Sequence, residues 1–142
     1  MSEQANIDLV RKAYAAFKRG EQEAFFALLD DDLDLQHPIP RSIWPFAGRR
    51  RGRREFAEFV QGSSQIIERE HFEVDEFIAQ GDSVVVLLSE RVKAKATGIS
   101  FDNPHVHVFK IVDNKIVRFM VFEDTAPIIA ALQGHRKVDV GD

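Results

Sequence analysis

At 142 residues the chain has the length of one domain with a sizeable core, and its 44% hydrophobic and 30% charged residues are those of a globular protein. It has no cysteine, which excludes disulfides, thiolate zinc sites and cysteine nucleophiles and suits a reducing compartment. A net charge of −4 argues against wholesale nucleic-acid binding.

In chain order, a first helix is predicted over 7–19, where Val10, Ala13, Tyr14 and Phe17 recur at the helical period. Asn6 is placed to cap it and Gly20 to stop it. A second helix over 21–29 ends at Asp30-Asp31-Asp32, and Leu33-Asp34-Leu35-Gln36-His37 alternates as a short strand stopped by Pro38 and Pro40. Residues 38–52, rich in proline and glycine, read as a loop, and 53–67 as a third helix with Phe56, Phe59 and Val60 on its apolar face. A strand over 70–79 leads through Gly81-Asp82 into two β-hairpins with arms 83–96, 99–112 and 115–123. A short helix over 126–133 and a frayed tail over 134–142 close the chain. No apolar run approaches the roughly 18 residues of a membrane span, and the N-terminus is polar. The expectation is therefore no membrane segment, no signal peptide and a cytoplasmic location. Helices first and a meander last predict an α+β domain over 1–142, with its core at about 5–132. The curved antiparallel sheet would wrap the N-terminal helices into a cone around an interior cavity. Twelve Phe against one Tyr suggest that the core or cavity is rich in rings.

Two-residue turns at Thr97-Gly98 and Asp113-Asn114 would fix the hairpin register. Glu90 then opposes His105, Leu88 opposes His107, His105 opposes Phe122, His107 opposes Met120 and Asn103 opposes Asp124. Alternation puts Glu90, Asn103, His105, His107 and Asp124 on one face with Val86, Leu88, Phe109, Met120 and Phe122. The other face, with Leu87, Arg91, Lys93, Val106, Val108, Lys110 and Val121, is mixed and suits solvent at one end and a partner subunit at the other. A bulge would flip part of this assignment, and Asn103-Pro104 is the expected place for one.

Several of these segments carry a family likeness. The run Val10-Arg11-Lys12-Ala13-Tyr14-Ala15-Ala16-Phe17 with Gly20, then Phe26-Ala27-Leu28-Leu29-Asp30-Asp31-Asp32, then Gly48 to Gly52-Arg53 before a helix, resembles the opening of SnoaL-like proteins. These belong to the superfamily of nuclear transport factor 2 and ketosteroid isomerase. The stretch from His107 to Arg118, followed by Val121-Phe122-Glu123-Asp124-Thr125-Ala126, resembles the close of the same family. The resemblance implies a cone-shaped α+β fold, a hydrophobic cavity and a dimer, but no single activity. It places His37 at the isomerase's general-base Asp and His107 at its protonated oxyanion-hole Asp. The isomerase's donor Tyr falls on Ala13, one residue before Tyr14. These departures argue against steroid isomerisation. Asp124 matches the acid/base Asp of SnoaL-like polyketide cyclases.

The candidate catalytic residues are thus Asp124, His37, His105, His107 and Glu90. Each has a plainer reading: His37 can bond loop backbone, Glu90 and His105 can satisfy each other, and Asp124 can cap the helix after it. His105 and His107 with Glu90 could also ligate a metal, but the family works without one, so neither metal nor cofactor is expected. Tyr14, Phe17, Trp44, Phe46, Phe59, Asn103, Met120 and Phe122 are the expected ligand contacts, with Trp44 and Phe46 as lid or core plug. The run Arg49-Arg50-Arg51-Gly52-Arg53-Arg54 reads as solvated surface, or as a clamp for a carboxylate or phosphate at the cavity mouth. The leading expectation is a cavity for a small, largely apolar or aromatic molecule, with cofactor-free isomerase, cyclase or dehydratase chemistry by proton transfer. A non-catalytic binding dimer, joined through the sheet, is the second; an epoxide hydrolase, which needs an Asp-Arg-Asp set, is the third.

Overall fold

The computed structural model describes residues 2–134. The expected tail over 134–142 therefore lies outside the described residues from 135 onward. Helix α1 (Glu3–Lys18) is capped by Ser2, whose hydroxyl accepts from the Ala5 amide, one turn earlier than the Asn6 cap expected. Asn6 is instead buried and donates to the Gly81 carbonyl, tying α1 to a strand turn. Helix α2 (Gln22–Phe26) is short, and β1 (Leu29–His37) begins before the acidic triplet rather than after it. Strand β2 (Gly48–Arg51) pairs with β1 and shortens the expected 38–52 loop. Then follow α3 (Gly52–Ile66), β3 (Ile67–Gln80), β4 (Ser83–Ala94), β5 (Ser100–Asp102), β6 (His105–Val112), β7 (Lys115–Glu123) and α4 (Thr125–Leu132).

These strands form one curved seven-stranded sheet in the order β2-β1-β7-β6-β4-β3, with β5 also on β4. The fold is the expected α+β cone. The sheet is mixed rather than wholly antiparallel, because β1 runs parallel to β7. Its inner face packs Val84, Val86, Leu88, Phe109 and Ile111 against Val10 and Ala13 of α1 and Phe56 of α3. A second apolar cluster joins Trp44 and Ala47 of the 38–47 loop to Val92, Phe101 and α4.

Both hairpin registers differ from the expectation, with opposite consequences. The first turn has four residues, closed by Ala94 N–H to Ile99 carbonyl at 2.8 Å. Leu88 therefore opposes His105 and Val86 opposes His107. This is a slip of two residues, which leaves every side chain on its predicted face. The second turn is the predicted two-residue one, with Asp113 and Asn114 at φ 51° and 62°. One pair further on, however, Ile111 opposes Ile116 and Lys110 opposes Arg118, so Val117 is an extra residue. A single extra residue reverses inside and outside. Phe119, Val121 and Glu123 face inward, while Met120, Phe122 and Asp124 do not.

The loop before β2 is anchored where Phe46 lies over Gly62 of α3. A Cβ built on Gly62 would sit 2.2 Å from the Phe46 ring. Gly62→Ala should lower unfolding stability by about 2 kcal/mol through this overpacking. Urea denaturation measures the loss; stability equal to the parent's would contradict the contact.

Candidate functional site

The sheet and helices enclose a cavity of about 430 Å³. Its walls are largely rings, including Phe17, Phe25, Phe56, Phe59 and Phe119. Ser64, Glu68, Arg69 and Lys95 are the exposed residues of its lining and mark the mouth. Trp44, expected as lid or core plug, is buried in the cavity wall and donates from its indole to Ser63 Oγ at 3.0 Å.

Polar side chains run through this apolar space as one connected network. The Asn103 carbonyl accepts from His105 Nδ1 at 3.0 Å, because a carbonyl can only accept. In the neutral ring, His105 Nε2 is then an acceptor. It takes the proton of His107 Nε2 at 3.1 Å, which leaves His107 Nδ1 to accept from the Tyr14 hydroxyl at 2.6 Å. Burial holds the His107 pKa well below the usual imidazole range, helped by the charges of His105, Arg69 and His37. Burial likewise raises the Tyr14 phenol, so both stay uncharged.

Two carboxylates flank this relay. Glu90 is buried, bonds Arg69 Nε and lies 3.6 Å from His105 Nδ1. Glu123 accepts from His37 Nε2 at 2.7 Å. The Asn103 amide nitrogen joins the two, donating to Glu90 at 3.4 Å and to Glu123 at 3.3 Å. Burial alone would raise the Glu123 pKa. The His37 hydrogen bond and charge, then His105 and Asn103, outweigh burial and hold it below the ordinary carboxylate range.

An ionised Glu123 only accepts, so His37 Nε2 carries the proton and a neutral His37 has its lone pair on Nδ1. That atom is buried and has no partner. His37 is 2% exposed, edge-on to Trp44 and Phe59. Of the six ring nitrogens on His37, His105 and His107, five are engaged and His37 Nδ1 alone is free.

The structure thus brings His37, Glu90, His105 and His107 to the cavity, with Tyr14, Phe17, Trp44, Phe59 and Asn103. Asp124 is elsewhere: it caps α4 by accepting from the Ala126 amide at 3.2 Å. The Val117 bulge also turns Met120 and Phe122 outward, and Phe122 is 42% exposed. Phe46 is held against Gly62 instead of lining the cavity. Of the arginine run, Arg49 pairs with Asp34, Arg50 and Arg54 with Glu58, and Arg53 with Asp31, and none of its members lines the cavity. Arg118 of β7 lies opposite Lys110 of β6 and Asp34 of β1, on the outer face, so no Asp-Arg-Asp set forms at the cavity among the described residues. Among the described residues no three His, Asp or Glu side chains converge to hold a metal ion, and no helix is long and apolar enough to cross a membrane. Two residues of the network, Glu123 and Arg69, escape the sequence reading. Arg69 lies just before the β3 bulge and Glu123 beyond the one at Val117, and alternation detects neither bulge.

Residues 10–119 match the SnoaL-like domain family. A protein of unknown function from Burkholderia pseudomallei, like nuclear transport factor 2, is 32% identical with a TM-score of 0.82, covering 93% of this chain and 98% of its own. A nuclear transport factor 2-like protein from Burkholderia xenovorans is 28% identical with a TM-score of 0.80, over 96% of this chain and 99% of its own. TerC, co-crystallized with polyporic acid, is 23% identical with a TM-score of 0.77, over 90% and 98%. No curated protein matches the chain.

Because the Glu123 pKa is lowered on folding, its carboxylate stabilises the fold fully above the unfolded titration range near about pH 4.3. That contribution is lost as pH falls through the lower, folded value. Glu123→Gln should therefore cost about 2 kcal/mol at neutral pH. The gap to the parent should close on acidification, whereas Asp124→Asn, which keeps a cap, should change little at any pH. Denaturation curves across that range measure both; a larger loss in Asp124→Asn would reverse the assignment of the inward acid.

Proposed function

This chain belongs to the SnoaL-like domain family, and from that premise we propose that its cavity binds a small, largely apolar, ring-containing molecule and moves a proton on it without a cofactor. The reaction class is isomerase or lyase: an isomerisation, cyclisation or dehydration through an enol or enolate. The observation that carries the reading is the His37–Glu123 pair, a buried carboxylate-oriented imidazole whose other nitrogen is unused. His37 Nδ1 takes the proton beside the carbonyl, and the ionised Glu123 stabilises the imidazolium that forms. The donor to the oxyanion is Tyr14 rather than His105 or His107, since both rings spend both nitrogens within the protein. An extra proton on the histidine pair, beside Glu90, would reverse the relay and turn the Tyr14 hydroxyl toward a developing oxyanion. A structure of this fold obtained with polyporic acid supports the cavity as a small-molecule site. The outward Met120 and Phe122 fit the same reading's homodimer through the sheet.

The self-satisfied histidine relay also suits the second reading, a binding domain without turnover, and one assay separates them. In D₂O the protein should accelerate deuterium uptake by 2-tetralone at the carbons flanking its carbonyl, followed by NMR. His37→Phe should lower that rate about 100-fold. Uptake unchanged in His37→Phe excludes His37 as the base; binding of 2-tetralone without any acceleration favours the second reading.

A further inference from the structure

Arg69 has more donors than its visible role uses. It opposes Val92 on β3, and the bulge between Arg69 and His71 puts it on the same inner face as Phe72. Its Nε bonds Glu90. A guanidinium carries five N–H groups, and both Nη nitrogens here have no acceptor among the described residues. The guanidinium carbon lies 5.5 Å from the Phe17 ring centre and 5.3 Å from that of Phe72, and both rings line the cavity. The side chain is 39% exposed, so the free nitrogens sit where ligand would enter. Lys95, the other cation of the mouth, has no acidic partner among the described residues, while Glu68 faces Lys93 at 3.9 Å. In a chain of net charge −4, this opening has cationic donors to spare.

We propose that the ligand is a ring compound bearing a carboxylate, which docks on the free Arg69 nitrogens at the mouth while the ring enters the cavity. The assignment deepens the small-molecule reading of the cavity and rests on it. A planar guanidinium with two parallel N–H bonds matches a carboxylate. Glu90 remains its inner partner, so the group is held in place before ligand arrives. Lys95 adds attraction without fixed geometry.

The test compares 4-hydroxybiphenyl with 4′-hydroxybiphenyl-4-carboxylate by calorimetry. The two differ only in the anionic group. The parent protein should bind the carboxylate at least about tenfold more tightly, as expected of hydrogen bonds to a charged group. The ratio should fall to about one in Arg69→Gln/Glu90→Gln, a double change that leaves no buried carboxylate unpaired. Arg69→Lys, which keeps the charge but not the fork, should retain only part of the preference. Equal affinities in the parent, or a preference that survives the double change, would overturn the Arg69 assignment while leaving the cavity reading intact. Failure of both compounds to bind would overturn both.

Discussion

Beyond Val117, β7 carries one residue more than β6 opposite it, and the direction of every side chain up to Glu123 follows from that count. Glu123 faces inward and meets His37; Asp124 stays outside and starts α4. The parallel pairing of β1 with β7 matters as much, because it brings His37 alongside the end of β7. A carboxylate alone in a ring-lined cavity would be expensive to keep ionised. Together the bulge and the parallel strand supply its partner, and the imidazole thus oriented has one nitrogen to spare.

The rest of the polar network is arranged so that no buried charge stands alone. Glu90 has Arg69, Asn103 and His105; Glu123 has His37 and Asn103. The Asn103 amide uses its two N–H groups on the two carboxylates, which keeps them apart and fixes both. The Asn103 main-chain carbonyl sets the tautomer of His105, and through it the tautomer of His107 and the direction of the Tyr14 hydroxyl. Such a network specifies one arrangement of a core that many Phe side chains could otherwise fill in several ways. It also separates two kinds of histidine: two that are fully engaged and one that is poised.

The α+β order, the cone and the inward face of β4 and β6 are legible in the sequence. A slip of two residues in the first hairpin does not disturb alternation, so Glu90, Asn103, His105 and His107 fall on one side either way. The last strand is different. Phe119-Met120-Val121-Phe122-Glu123-Asp124 reads apolar, apolar, acidic at both its odd and its even positions. Periodicity therefore cannot choose between the two faces, and the likeness to cyclases favoured the wrong acid for the interior. Arg69 is hidden for a similar reason, since the β3 bulge puts it and Phe72 on one face at a spacing no regular strand allows. Asp30-Asp31-Asp32 looks like a helix stop, yet it lies within β1, bracketed by the buried Leu29 and Leu33.

The central claim is that His37 keeps its proton on Nε2, against Glu123, and an unpartnered lone pair on Nδ1. Long-range proton–nitrogen NMR of the ¹⁵N-labelled protein at mildly alkaline pH reads this directly. The account predicts a pyrrole-type shift at His37 Nε2 and a pyridine-type shift at Nδ1, with the Nε2 resonance moving in Glu123→Gln and not in Asp124→Asn. A proton on Nδ1, or an Nε2 resonance that responds to Asp124 instead, would contradict it.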